Sequence, residues 1–221
     1  MERPLNTYEK AILNLQKDIC SMGSEVSKLL KLALEALLEQ DKDKANQIIQ
    51  LENEIDDQDY EIEMRALELI SLQQPLDEDL RVLAAVMRIT KDLERIGDLA
   101  VNVAKTAIKL ADSGAYFKPL IDIPKMAELT REMLEESLDS YLHNNIELAL
   151  TINKKDDQVD RLFHKLYQEL IDYMKANANY VEQASCFILV ARYLERIGDH
   201  AVNIAEMTIY QLSGERRPFK K

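Results

Sequence analysis

Residues 93–104 read LERIGDLAVNVA and residues 194–205 read LERIGDHAVNIA, so one twelve-residue block occurs twice, 101 positions apart. The two copies share ten of their twelve residues. Repetition at this level indicates that the chain consists of two copies of one structural unit. We predict that the first unit comprises residues 1–113 and the second residues 114–221, because glycine and proline cluster in mid-chain only at this junction.

Composition and periodicity both favour helices. The 221 residues include only five glycines and five prolines, which is unlike a turn-rich β protein. Apolar residues near the start recur at alternating spacings of three and four, which is typical of a helix that packs lengthwise on other helices. This seam comprises Ile12, Leu15, Ile19, Met22, Val26, Leu29, Ala33 and Ala36.

The same period predicts six long helices joined by short turns. We place them at residues 6–40, 43–72, 77–112, 123–143, 146–176 and 180–213. Short connections make successive helices antiparallel neighbours. The sequence therefore predicts an all-α protein of two tandem, similar three-helix bundles with up-down topology.

The charge and the apolar content limit the partners. A net charge of −12 disfavours binding to nucleic acid and to anionic lipid. No stretch approaches the ~18 apolar residues of a membrane span, and the N-terminal segment lacks the apolar core of a signal peptide. The two cysteines, Cys20 and Cys186, match no ligand spacing and are expected to be small buried side chains. We expect a cytoplasmic protein that reaches the inner membrane only through its partners.

Each unit carries two pairs of acidic residues at spacing i, i+4. These pairs are Glu52–Asp56 and Glu94–Asp98 in the first unit, and Asp156–Asp160 and Glu195–Asp199 in the second. Side chains four apart share one helix face, where two like charges destabilise the helix by a few tenths of a kcal/mol. A cation bound between them removes the repulsion, and carboxylate oxygens suit hard metal ions. Such pairs are common in a chain with 40 acidic residues, but recurrence in both units distinguishes the third-helix pairs.

Helix geometry assigns different tasks to residues within the repeated block. At 100° per residue, one apolar seam comprises Leu93, Ile96, Ala100 and Val103. Glu94 and Asp98 lie roughly opposite, toward solvent or a groove with another helix. In the second helix, the apolar stripe comprises Ile48, Leu51, Ile55 and Ile62, with Glu52 and Asp56 at its edge. Gly97 and Gly198 predict a close backbone approach, between helices or between units.

Catalytic patterns are missing from the sequence. It contains no Glu-x-x-His, no glycine-rich phosphate loop, no Cys/His zinc array and no evident pairing of a nucleophile with a base. His200 stands beside Asp199, but the first unit has Leu99 at the equivalent position, which argues against a ligand role. We predict no catalytic residue and no enzymatic activity.

The duplicated LERIGD-x-AVN block, with acidic pairs in tandem three-helix units, resembles the PhoU family over essentially the whole chain. The resemblance implies two bundles side by side in a homodimer. It implies a negative regulator of phosphate uptake and of the phosphate-starvation response, linking a phosphate-specific ABC transporter to a membrane sensor histidine kinase. It also implies metal ions or clusters bound through the acidic pairs. Carried over, the ligands are Glu52, Asp56, Glu94, Asp98, Asp156, Asp160, Glu195 and Asp199.

Two other functions remain open at this level. One is a carboxylate-bridged, metal-dependent enzyme, which needs an open coordination position and a base near the metal. The other is a helical scaffold without metal, in which the acidic pairs only keep the surface soluble. The ion stays open as well: Fe, Zn, Mn and Mg, divalent or trivalent, all suit carboxylate sites.

Overall fold

A computed structural model describes residues 7–215, which fold into six long helices without a strand. The helices are α1 (Thr7–Glu39), α2 (Lys42–Gln73), α3 (Asp77–Ala111), α4 (Asp122–Leu142), α5 (Ile146–Ala176) and α6 (Val181–Ser213). A 3-10 turn at Ala178–Tyr180 precedes α6. The all-α prediction is confirmed, and each predicted boundary lies within one residue of the observed one. The predicted start at residue 6 lies outside the described range. None of these helices has the length and apolar content needed to cross a bilayer.

Local signals account for the sharp helix ends. The side chain of Asp41 caps α2 by accepting a hydrogen bond from the backbone N–H of Lys44 at 2.9 Å. Asn145 caps α5 in the same way, with the N–H of Leu148 at 3.0 Å. Gly214 ends α6 with a φ of 72°, a conformation that glycine adopts without a steric penalty. Short capped turns of this kind keep sequential helices packed side by side.

The helices form two bundles that share a contact. Helices α1, α2 and α3 pack on one another, and so do α4, α5 and α6. Helix α3 also packs on α6, and α1 on α4, so the two third helices lie at the centre. The predicted seam of α3 is confirmed, since Leu93, Ile96, Ala100 and Val103 are all at most 1% exposed. Leu51 belongs to the predicted apolar stripe of α2 but not to its buried part: the residue is 40% exposed, whereas Ile48, Ile55 and Ile62 are at most 3% exposed.

The segment between α3 and α4 is hydrogen-bonded to both bundles. The hydroxyl of Tyr116 donates to the carbonyl of Leu37 in α1. The N–H of Phe117 donates to Oε1 of Gln183 in α6 at 3.0 Å, and Nε2 of Gln183 donates to the carbonyl of Ser113 at 3.2 Å. The division predicted between residues 113 and 114 falls within this segment and stays a prediction.

Candidate metal site and the contact between the bundles

The acidic pair of α2 faces the acidic pair of α3 in the first bundle. Glu52 is half-buried, and its carboxyl group lies within hydrogen-bonding reach of the carboxyl group of Asp98. Burial first, and then the charges of Asp56 and Asp98, raise the pKa of Glu52. The cation of Lys105 acts in the opposite direction. Three predicted ligands, two from α2 and one from α3, therefore lie together.

Glu94, the fourth predicted ligand of this unit, is held by basic side chains of its own helix. Its side chain is 12% exposed, with Oε1 at 3.0 Å from Nζ of Lys91 and Oε2 at 3.4 Å from Nε of Arg95. Arg95 also donates from Nη1 to Oδ2 of Asp98 at 2.9 Å. The repeated arginine thus orients both carboxylates of α3. Oε2 of Glu94 is buried and accepts no hydrogen bond from residues 7–215.

One predicted ligand of the second unit is more deeply buried than its counterpart in the first. Asp156, which stands where the first unit has Glu52, is fully buried. The other predicted ligands of this unit, Asp160, Glu195 and Asp199, are partly buried. Arg192 donates from Nη1 to Oε1 of Glu195. The equivalent residue of the first unit, Lys91, forms an ion pair with Glu94 in the same way. The two units therefore repeat the basic partner of the α3 and α6 glutamates as well as the glutamates themselves.

Of the three glycines inside helices, Gly97 and Gly198 of the repeated block each lie against a side chain of the neighbouring second helix, whereas the prediction was a close backbone approach. A methyl group at residue 97 would lie 3.4 Å from Cγ2 of Ile55 in α2. One at residue 198 would lie 3.3 Å from Oδ1 of Asp156 in α5. Gly198 therefore makes the space in which the Asp156 carboxylate lies, directly beside the predicted ligand Asp199.

The chemistry of these residues fits a hard metal ion. Carboxylate oxygens are the preferred donors for such ions, and a cation would relieve the contact between Glu52 and Asp98. The buried Oε2 of Glu94 has the ion pair with Arg95 at 3.4 Å but accepts no hydrogen bond within the described residues. Within the described residues, however, no three His, Cys, Asp or Glu side chains are arranged around one point that an ion would occupy. The carboxylates pair instead with each other and with Lys91 and Arg95, so metal binding stays a prediction.

A polar cluster between the bundles was missed at the sequence level. Asp92 of α3 is buried, and its Oδ1 accepts hydrogen bonds from Nδ1 of His200 at 2.8 Å and Nδ2 of Asn203 at 3.1 Å, both from α6. An ionised carboxylate only accepts, so Nδ1 of His200 carries the proton. The equivalents of Asp92 and His200 in the other unit are Tyr193 and Leu99. This departure from the repeat was the available signal.

The fold and the site together define a class of protein. It is an all-α protein of two tandem, similar three-helix bundles, with matched carboxylate pairs on the second and third helix of each and the third helices in contact. The PhoU domain matches this chain twice, at residues 19–107 and 123–208. The chain belongs to the PhoU family.

Relatives of known name match over almost the full length. A protein of Clostridium acetobutylicum, the "Phosphate-specific transport system accessory protein PhoU homolog", is 37% identical over 210 residues, covering 95% of each chain. The crystal structure of PhoU from Pseudomonas aeruginosa matches with a TM-score of 0.91 at 30% identity, over 95% of this chain and 100% of that one. The phosphate transport system regulatory protein PhoU from Streptococcus pneumoniae matches with a TM-score of 0.88 at 26% identity, over 96% and 99%.

Proposed function

We propose that this protein is an accessory protein of a phosphate-specific transport system and a negative regulator of phosphate uptake. The carrying observation is the match of both halves to the PhoU domain, together with full-length relatives named as accessory proteins of that system. In the proposed role, the protein acts without a catalytic step. At high phosphate it docks on the cytoplasmic side of the phosphate ABC transporter and keeps a membrane sensor histidine kinase from signalling.

The acidic surface supports an adaptor of this kind. The net charge of −12 favours basic protein surfaces over anionic lipid as partners. Contact with the membrane therefore runs through the transporter and the kinase rather than through direct insertion. A homodimer, which the family resemblance implies, would present each acidic surface twice and strengthen docking on a symmetric transporter.

The eight acidic residues are proposed to hold metal ions, Fe, Zn, Mn or Mg, as two sites of like design. In the first unit, Glu52, Asp56 and Asp98 would be ligands across the α2–α3 contact, with Glu94 beside them. In the second unit, the ligands would be Asp156, whose carboxylate lies against Gly198, together with Asp160, Glu195 and Asp199. The contact between two acidic groups at Glu52 and Asp98 supports this proposal most directly. A bound ion would supply positive charge that fixes second and third helices together.

The adaptor role is tested by recovering the tagged protein from membranes of cells grown at high and at low phosphate. The proposal expects the transporter and the kinase to be recovered with it at high phosphate, with metal measured in the same sample. Recovery of neither membrane partner under either condition contradicts the adaptor role. A tag-only strain controls for carry-over of membrane.

Two other functions would give different results. A metal-dependent enzyme would show turnover in activity screens that requires metal and is lost in Glu94→Ala. A metal-free scaffold would bind Fe, Zn, Mn and Mg in equilibrium dialysis no better than a protein of matched charge. The contact between the carboxyl groups of Glu52 and Asp98, which a cation would relieve, favours metal binding over the bare scaffold.

A further inference from the structure

Helix α2 carries a stripe of large apolar side chains on its outer surface. Tyr60, Met64 and Leu67 are 64%, 47% and 43% exposed, and their spacing of four and three places them on one face. The opposite side of α2 supplies its core contacts through Ile48, Ile55, Ile62 and Ala66, all at most 3% exposed. The stripe is therefore extra apolar surface that the bundle does not use. Below, "α2 stripe" means Tyr60, Met64 and Leu67.

Acidic residues border the α2 stripe on both sides. Residues 52–68 contain eight acidic side chains and a single basic one, Arg65. Arg65 is turned away to α1, where Nη2 lies 2.8 Å from Oδ2 of Asp18. At 100° per residue, Glu63 lies on one side of the stripe, and Asp57 and Glu68 lie on the other. All three carboxylates are exposed, so the surface combines an apolar centre with anionic edges.

The duplicated fold shows that the packing does not require this surface. Each buried residue of α2 has a buried apolar counterpart in α5, 104 residues later. These counterparts are Ala149, Ile152, Val159, Leu166 and Leu170. By the same offset, the α2 stripe corresponds to His164, Gln168 and Ile171. Residues 156–172 hold five acidic and two basic side chains, so the negative charge is weaker as well. Of the two second helices, both within the described residues, α2 carries this acidic-edged stripe and α5 does not repeat it.

We propose that the α2 stripe binds an amphipathic helix of a partner protein, with Lys or Arg at the edges of its apolar face. Anchors at i, i+4 and i+7 match the way one helix lies against another. The acidic borders would pair with the basic edges, accelerate association and select against acidic partners. At this surface the same borders repel an anionic bilayer and the equally acidic α2 stripe of a second copy of this chain. The inference stands independently of the proposed phosphate role.

The test uses the full chain and two synthetic helical peptides of about 18 residues, long enough for roughly five turns. One peptide contains leucine and lysine with an amphipathic pattern, and the other replaces each lysine with glutamate. Binding is measured by fluorescence anisotropy at about 0.15 M salt, where long-range attraction is screened. The lysine peptide is expected to bind and the glutamate peptide is not. Met64→Ser with Leu67→Ser should weaken binding about tenfold or more.

Matched controls separate this surface from general charge attraction. Leu150→Ser removes a leucine of α5 that is 51% exposed and should leave binding unchanged. Glu63→Gln with Glu68→Gln should weaken binding and reduce its salt dependence. Equal binding by wild type and the Met64/Leu67 variant would overturn the proposal. The proposal would also be overturned if binding of the lysine peptide did not depend on the α2 stripe, while self-association or binding to vesicles of anionic lipid did.

Discussion

Asp92 in α3 and His200 in α6 are hydrogen-bonded across the contact between the two bundles, with 2.8 Å between Oδ1 and Nδ1. Both side chains are largely buried, at 10% and 17% exposure. Neither residue is repeated in the other unit, so the bond between the two third helices has no counterpart related by the internal repeat. A directional polar contact in an apolar interface favours one alignment of the helices over others.

His200→Leu, which copies Leu99 of the first unit, is expected to destabilise the protein. The buried Asp92 carboxylate loses one of its two donors, which costs about 1–3 kcal/mol of the free energy of unfolding. Urea denaturation measures the change, with His143→Leu as the control because that histidine is exposed. Adding Asp92→Leu should recover part of the loss, since both polar partners are then gone. Unchanged stability in His200→Leu would contradict the assigned contact.

Glu52→Gln is expected to raise stability near neutral pH when a chelator is present. Because burial, Asp56 and Asp98 raise the pKa of Glu52, the folded protein binds this proton more tightly than the unfolded chain. Wild-type stability therefore falls as the pH rises from the ordinary value of 4.5 through the raised one.

Glutamine avoids that loss, so Glu52→Gln should exceed wild type by about 0.2–0.5 kcal/mol above this pH window. The two proteins should converge below it. Urea denaturation on both sides of the window measures the difference. Asp57→Asn, which changes an exposed carboxylate outside the cluster, is the matched control. A Glu52→Gln protein less stable than wild type above the window would argue against the contact with Asp98.

Gly97→Ala and Gly23→Ala should differ although both replace a helical glycine. Each gains about 0.5–1 kcal/mol of helix propensity. The new methyl group lies 3.4 Å from Ile55 at residue 97, but 2.2 Å from Cδ1 of Leu138 at residue 23. We expect Gly97→Ala to be more stable than wild type, and Gly23→Ala to gain less, because the end of the Leu138 side chain must move aside to admit the methyl group. Thermal denaturation of the pair decides, and equal midpoints would refute the close α1–α4 approach.

Glu52→Gln with Asp98→Asn is expected to weaken metal binding by the first unit. Removing two carboxylates from the α2–α3 cluster leaves too few anionic oxygens for a hard ion, so affinity should fall about tenfold or more. Equilibrium dialysis with Fe, Zn, Mn and Mg gives the readout. Asp57→Asn with Glu61→Gln removes two exposed carboxylates of equal total charge and should bind as wild type does. Equal losses in both variants would mean that the effect is general charge.

The fold could be predicted from sequence because its signals are local. Periodic apolar residues, the capping Asp41 and Asn145, and short turns determine the helices, and the repeated block indicates two bundles. Leu51 is exposed because a residue at the margin of an apolar stripe faces solvent once the helices rotate to pack. The residues that share one helix face were equally predictable from the i, i+4 spacing.

The contacts between helices could not be predicted in the same way. Whether Glu52 meets Asp98 depends on the rotation of α2 against α3, which the contact of Ile55 with Gly97 helps to set. The bond between Asp92 and His200 joins residues 108 positions apart. A search for repeated residues passes over both of them, since the repeat has Tyr193 and Leu99 instead.

The most direct test of the proposed regulation is the expression of a phosphate-starvation reporter in phosphate-rich medium. A strain that lacks this protein should express the reporter as if starved, and a plasmid copy of the wild-type gene should restore repression. The predicted result is that the plasmid copy restores repression while the external phosphate concentration stays the same. Normal repression in the deletion strain at high phosphate would contradict it.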